Sequence, residues 1–120
     1  MAKFFVKSSW GSDDPTRAAM PFGHSNVLAR AGHEVRVFLV GEAAVLARGT
    51  VRDTLFPVGW PPLAEQWRQS VELGVRIEVC DACRKARGVS DEEISAAGAF
   101  VATPENFLDG VMWSDKVIAE

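Results

Sequence analysis

One feature dominates what this chain can fold into: short apolar runs of strand length alternate with longer amphipathic or turn-rich segments. That is the pattern of βα units wound around a parallel sheet. Lys3 to Ser8 and Val35 to Val40, both rich in Phe and Val, read as buried parallel strands. Between them Asp14 is placed to cap a helix, Pro15 suits its first position, and Gly32 suits its end. Pro21 and Gly23 fall inside that helix, which predicts a kink or a late start, because proline removes one backbone bond and clashes one turn back.

Further along, Glu42 to Arg48 reads as a short helix. The prolines between Leu55 and Pro62 predict an irregular loop. Leu63 to Leu73 reads as a helix stopped by Gly74, and Val75 to Cys80 as the third strand, with Ile77 and Val79 inward. Asp81 to Ala86 is a short helix closed by Gly88, and Ser90 with Glu93 matches a capping box. Ala99 to Ala102 is the fourth strand, Thr103 caps a helix over Pro104 to Trp113, and Lys116 to Ala119 is a short fifth strand. The expected architecture is α/β, a single domain over residues 1–120 around a parallel sheet of four or five strands.

Composition narrows the function. Thirteen basic against 16 acidic side chains leave a net charge of −3, with no Lys/Arg stripe, so no nucleic-acid partner is expected. No apolar run approaches the ~18 residues of a membrane span, and no membrane partner is expected. The apolar run after Met1 is too short for a signal core and is closed by Lys7, so the expected compartment is the cytoplasm, where thiols stay reduced. A chain of this length buries roughly two-thirds of its unfolded surface, so its two cysteines are not needed as staples.

Those cysteines are the most informative residues. In Val79-Cys80-Asp81-Ala82-Cys83-Arg84, Cys80 ends a strand and faces a helix start. In open parallel sheets, ligands and reactive groups collect beyond the carboxyl ends of strands. Backbone N–H groups and the helix dipole there favour thiolate, and Arg84, one turn on, is placed to add a cation, so a lowered Cys80 pKa is expected. Cys83 sits where it can trap an oxidised Cys80 sulfur as a disulfide. The plainer reading is a small buried hydrophobe at a strand end. Zinc is disfavoured, because a closed site needs four ligands and His24 and His33 lie far upstream.

Other residues read more plainly. The polar stretch Ser8 to Asp14 is a βα loop with a capping aspartate rather than an anion site. Phe56, Trp60 and Trp67 either cover the domain's own core or form a subunit contact, and Trp113 is expected in the core.

The spacing from Cys80 to Gly88, the turn Arg87-Gly88-Val89, the acidic Asp91-Glu92-Glu93 and the turn Ala31-Gly32-His33-Glu34-Val35 resemble the DsrE/DsrF-like family of sulfur-relay proteins. The resemblance implies a three-layer α/β/α sandwich around five parallel strands. It implies assembly as a homotrimer or homohexamer, or with sister subunits. It also implies that Cys80 accepts sulfane sulfur as a persulfide from a donor protein and passes it to an acceptor cysteine, with no metal or organic cofactor. Cys83 departs from the relay pattern. It opens a second reading, a C-x-x-C thiol-disulfide oxidoreductase cycling Cys80 and Cys83, beside a third, a non-catalytic scaffold with both thiols buried.

Overall fold

The computed structural model describes residues 1–120. Its elements in chain order are β1 (Lys3–Ser8), α1 (Pro15–Arg30), β2 (Glu34–Leu39), a 3-10 helix (Gly41–Ala47), α2 (Gly49–Asp53), α3 (Leu63–Glu72), β3 (Arg76–Cys80), α4 (Asp81–Ala86), α5 (Asp91–Ala96), β4 (Phe100–Ala102), α6 (Pro104–Trp113) and β5 (Lys116–Ala119). All five strands are parallel, in the order β4-β3-β2-β1-β5. This is the α/β architecture with helices on both faces that the alternation predicts.

Strand order decides how the helices divide. From β1 through β4 the chain steps in one direction across the sheet, then returns past the whole sheet to place β5 beside β1. Crossovers between parallel strands are right-handed, so reversing direction sends the connecting helix to the opposite face. Accordingly α1, the 3-10 helix, α3, α4 and α5 lie on one face, and α6 alone covers the other. The first face holds a core of 22 buried residues, among them Val6, Phe22, Val37, Leu46, Ile77 and Ile94. The second holds Phe5, Phe38 and Ala102, with Val40, Cys80 and Val111 packed at their edge. We call these the thick and thin faces.

Local signals explain most boundaries. Asp14 accepts from the Arg17 N–H at 3.1 Å, and Ser90 with Glu93 forms the expected capping box. Thr103 accepts from the Asn106 N–H while the Asn106 side chain accepts from the Thr103 N–H, which stops β4 after three residues and starts α6.

Two expectations need correction. Helix α1 runs through Pro21 from Pro15 to Arg30. Proline deletes a single hydrogen bond there, and burial of Ala18, Ala19 and Phe22 around it outweighs that loss. Gly23 is not a breaker either, since a Cβ at that position would collide with the Trp60 ring, so the glycine admits the loop. The short helix expected over 42–48 is present, as a 3-10 helix over Gly41–Ala47. Trp113 is only half-buried, with Lys3 and Arg36 over its ring, because it lies on α6, which faces water on one side.

The remaining tryptophans divide. Trp67 belongs to the thick core and donates its indole N–H to the Ala97 carbonyl at 2.8 Å. Trp60 covers Gly23 and His24, whereas Phe56 is 64% exposed. No helix is long and apolar enough to cross a membrane.

Candidate functional site at the carboxyl end of β3

Cys80 is the last residue of β3 and the N-cap of α4. Strand residues alternate in direction, so Ile77 and Val79 enter the thick core while Glu78 and Cys80 point to the thin face. Three residues later, one turn into α4, Cys83 packs against the thick core instead. The two thiols of the C-x-x-C motif are free, half-buried and in contact with each other, with Cys80 packed against the thin-face cluster and Cys83 against the edge of the thick core.

On the thin face the Cys80 side chain lines a shallow pocket of about 250 Å³. Phe38 from β2, Val40 just after it and Phe107 from α6 form its apolar walls, Thr103 and Pro104 its rim, and Lys7 from β1 is its one charged residue. Cys83 lines no part of it. The pocket exists because α6 starts immediately beyond β4 and leaves the carboxyl ends of β1, β2 and β3 uncovered. Phe107 packs edge-on against Phe5 and Phe38, which are tilted to each other, with ring centroids 5.6 to 5.8 Å apart.

The electrostatics differ from the expectation. Burial pushes the Cys80 thiol above its ordinary value, the neighbouring Cys83 thiol adds to that, and the backbone N–H groups of Cys83 and Ala82 pull against it. Desolvation of the anion outweighs a six-residue helix's dipole. The thiol is therefore the resting form at neutral pH.

Arg84 also departs from its expected role. Its guanidinium is buried, contacts Asp81 at 2.9 Å and Asp91 at 2.6 Å, and donates to the Val89 carbonyl at 3.2 Å. These contacts tie α4 to α5 and commit the charge to carboxylates rather than to the Cys80 sulfur. Further clamps hold the same segment. Arg87 donates to Glu42 and to the Cys83 carbonyl, and Arg48 bonds Glu93 and the Gly88 carbonyl. The Cys80–Cys83 turn is thus fixed from both ends.

Lys7 escaped the sequence reading because it lies more than seventy positions from Cys80. The signal was present in the alternation of β1, where Phe5 and Lys7 must share one face. The β1–α1 loop carries no anion site, since Asp13 accepts from the Gly11 N–H and Ser8 from the Trp10 N–H. His24 is bonded to Glu120 at 2.7 Å and lines no part of the Cys80 pocket.

Comparison with known proteins agrees with this architecture. The DsrE/DsrF-like family model matches residues 1–119. An uncharacterized protein of Methanopyrus kandleri is 33% identical over 88 residues, covering 72% of this chain and 68% of its own length. One from Methanocaldococcus jannaschii is 32% identical over 87 residues, covering 72% of each. The crystal structure of the YchN protein from E. coli superposes with a TM-score of 0.79 over 100% of both chains at 17% identity. A protein of unknown function from Methanobacterium thermoautotrophicum reaches 0.66, covering 98% of this chain and 97% of its own, at 15% identity. At those identities the two structures establish a shared fold.

Proposed function

We propose that this chain, which belongs to the DsrE/DsrF-like family, is a sulfur-relay protein that carries sulfane sulfur as a persulfide on Cys80. The observation carrying this reading is the place of Cys80: it lines a pocket with room for an added sulfur, and Cys83, though beside it, lines no part of that pocket. The family suggests the relay, and the pocket supports the assignment to Cys80.

The raised thiol shapes the chemistry. The Cys80 sulfur, giving up its proton, attacks the outer sulfur of a protonated donor persulfide, R–S–SH. A new S–S bond forms on Cys80, the donor's S–S bond breaks, and the departing sulfur takes the electron pair and the Cys80 proton, leaving Cys80–S–SH and R–SH; the outer sulfur of the loaded persulfide then ionises. For unloading, an acceptor thiolate attacks the outer sulfur of the protonated persulfide, and Cys80 departs as thiolate. A thiol of high pKa leaves slowly, so a raised Cys80 favours holding sulfur until a partner's cysteine arrives. Neither step draws on a metal or organic cofactor.

Assembly belongs to the same reading. Leu108 and Met112, one turn apart on α6, are 61% and 75% exposed, and Val117 on β5 is also exposed. This apolar stripe supports a homotrimer or homohexamer, or pairing with sister subunits, and sedimentation at two protein concentrations tests it. The cytoplasm, where thiols stay reduced, is the fitting compartment.

Incubation with inorganic polysulfide, with the intact mass measured afterwards, tests the central claim. The expected result is a gain of about 32 Da, one sulfur atom, on the chain. The gain disappears in Cys80→Ser and persists in Cys83→Ser. Uptake that survives Cys80→Ser overturns the assignment. Loss of two hydrogens with sulfide release instead supports the dithiol cycle, which the closeness of Cys83 to Cys80 favours. If neither thiol reacts with an alkylating reagent in the folded state, the scaffold reading stands.

A further inference from the structure

A persulfide carrier needs a group to receive the charge of the outer sulfur. The cations around α4 are taken: Arg84 is held by Asp81 and Asp91, Lys85 by Asp81, and Arg87 by Glu42. On the thin face Arg36 makes a two-pronged pair with the buried Glu78, at 2.8 and 2.9 Å, and reaches Asp109. Lys7 is different. It pairs with no carboxylate, and its ammonium lies 5.7 Å from the Phe107 ring centroid at the wall of the Cys80 pocket.

The sheet register places it. Lys7 is paired with Phe38 and Phe38 with Glu78, so Cys80 stands one pleat further along the same face, two strands away. At a strand spacing of about 4.8 Å and a rise of about 3.3 Å per residue, the Lys7 and Cys80 Cα atoms are about 12 Å apart. A persulfide sets its outer sulfur about 2 Å beyond Sγ. That brings the charge into the pocket between Phe38 and Phe107, which Lys7 also lines. The walls there offer no competing donor side chain except Thr103, whose hydroxyl donates to Asn106.

We infer that Lys7 is the positioning residue that holds the outer sulfur anion of the Cys80 persulfide across the apolar pocket. The inference rests on the persulfide reading above and deepens it. An aromatic face strengthens the case: the ring quadrupole of Phe107 keeps the ammonium at the pocket wall when no anion is present, and a desolvated sulfur anion is a stronger partner than the ring. The lysine is thus parked beside the place where charge appears on loading.

The other titratable groups on the surrounding elements are already engaged or point elsewhere. Glu78 on β3 and Asp109 on α6 face Arg36, Asp81 faces Arg84 and Lys85, and Cys83 packs against the edge of the thick core. Glu105 is exposed on the first turn of α6. Lys7 therefore sets the charge balance of the pocket.

The test uses the full chain in a Cys83→Ser background, loaded with inorganic polysulfide, in three forms: Lys7, Lys7→Met and Lys7→Arg. The rate at which iodoacetamide caps the loaded persulfide is followed against pH by intact mass. Lys7→Met should move the midpoint of that profile up by about one pH unit, and Lys7→Arg should leave it near the parent. Circular dichroism and urea midpoints show that each variant is folded, and Lys7→Gln replaces Lys7→Met if the latter is not. Equal midpoints in all three forms overturn the role of Lys7 while leaving the carrier reading intact. Failure of the parent to gain sulfur at all overturns the carrier reading, and the inference falls with it.

Discussion

The two faces of the sheet solve different problems. On the thick face, helices close over 22 buried residues, and some of the polar groups inside pair with one another: Asn26 donates to the Gln66 carbonyl and Ser70 donates to Asn26. On the thin face, one ten-residue helix covers a few aromatic rings, a buried ion pair and a cysteine. Burial on the larger scale stabilises the fold, and its absence on the thin face leaves a sulfur accessible. Cys80 and Cys83, three residues apart, show the contrast within a single turn of chain. The same alternation that sends Val79 into the core sends Cys80 out to the pocket.

Damage to one face at a time separates the two roles. Phe22→Ala on the thick face removes a fully buried ring that stacks on Trp67, at a cost of about 4 kcal/mol by urea denaturation. Cys80 alkylation in the folded state should not change. An altered Cys80 rate in a still-folded Phe22→Ala protein would show that the faces are coupled.

Gly110→Ala acts on the thin face. Gly110 is the point where α6 meets the Phe5 ring, and an added Cβ would collide with that ring. Overpacking there should cost about 2 kcal/mol and lift α6, so that Cys80 alkylates several-fold faster. A stable Gly110→Ala protein with unchanged Cys80 reactivity would mean that α6 does not govern the pocket.

Two smaller effects probe the rims of the same faces. Arg48, helped by the Ser90 cap, holds the Glu93 carboxyl at about 2, below its ordinary 4.5. A carboxyl depressed in the folded state contributes stability fully above its unfolded value and loses it as the pH falls through the folded one. Acid destabilisation between 4.5 and about 2 should therefore be shallower in Glu93→Gln, measured by thermal unfolding at stepped pH. The smallest effect is expected from Leu108→Ser, which removes an exposed side chain. A monomer should change by less than about 0.5 kcal/mol. A larger loss that depends on protein concentration would show that copies of the chain cover the thin face.

How much of this was legible in advance varies by element and by cause. The start of helix α6 was readable, because Thr103 and Pro104 are local signals that act within one turn. The capping box at Ser90 was equally plain. Pro21 misled, since the penalty of an interior proline is local while the burial that outweighs it comes from packing on α3 and the sheet. Trp113 misled for the reverse reason: its size suggests burial, but its helix is alone on its face. Arg84 was assigned to Cys80 by helical spacing, and spacing cannot show that Asp91, seven residues on, folds back to claim the guanidinium.

Local sequence was enough to set the succession of strands and helices, the caps that bound them, and a cysteine at a strand's end, because each depends on neighbours within a few residues. Long-range packing settled which face each thiol joins, that burial raises the Cys80 thiol, and that Lys7 shares its pocket. Those outcomes depend on strand order and desolvation. Strand order is fixed by crossovers spanning the whole chain, and desolvation depends on atoms brought together only when the sheet closes.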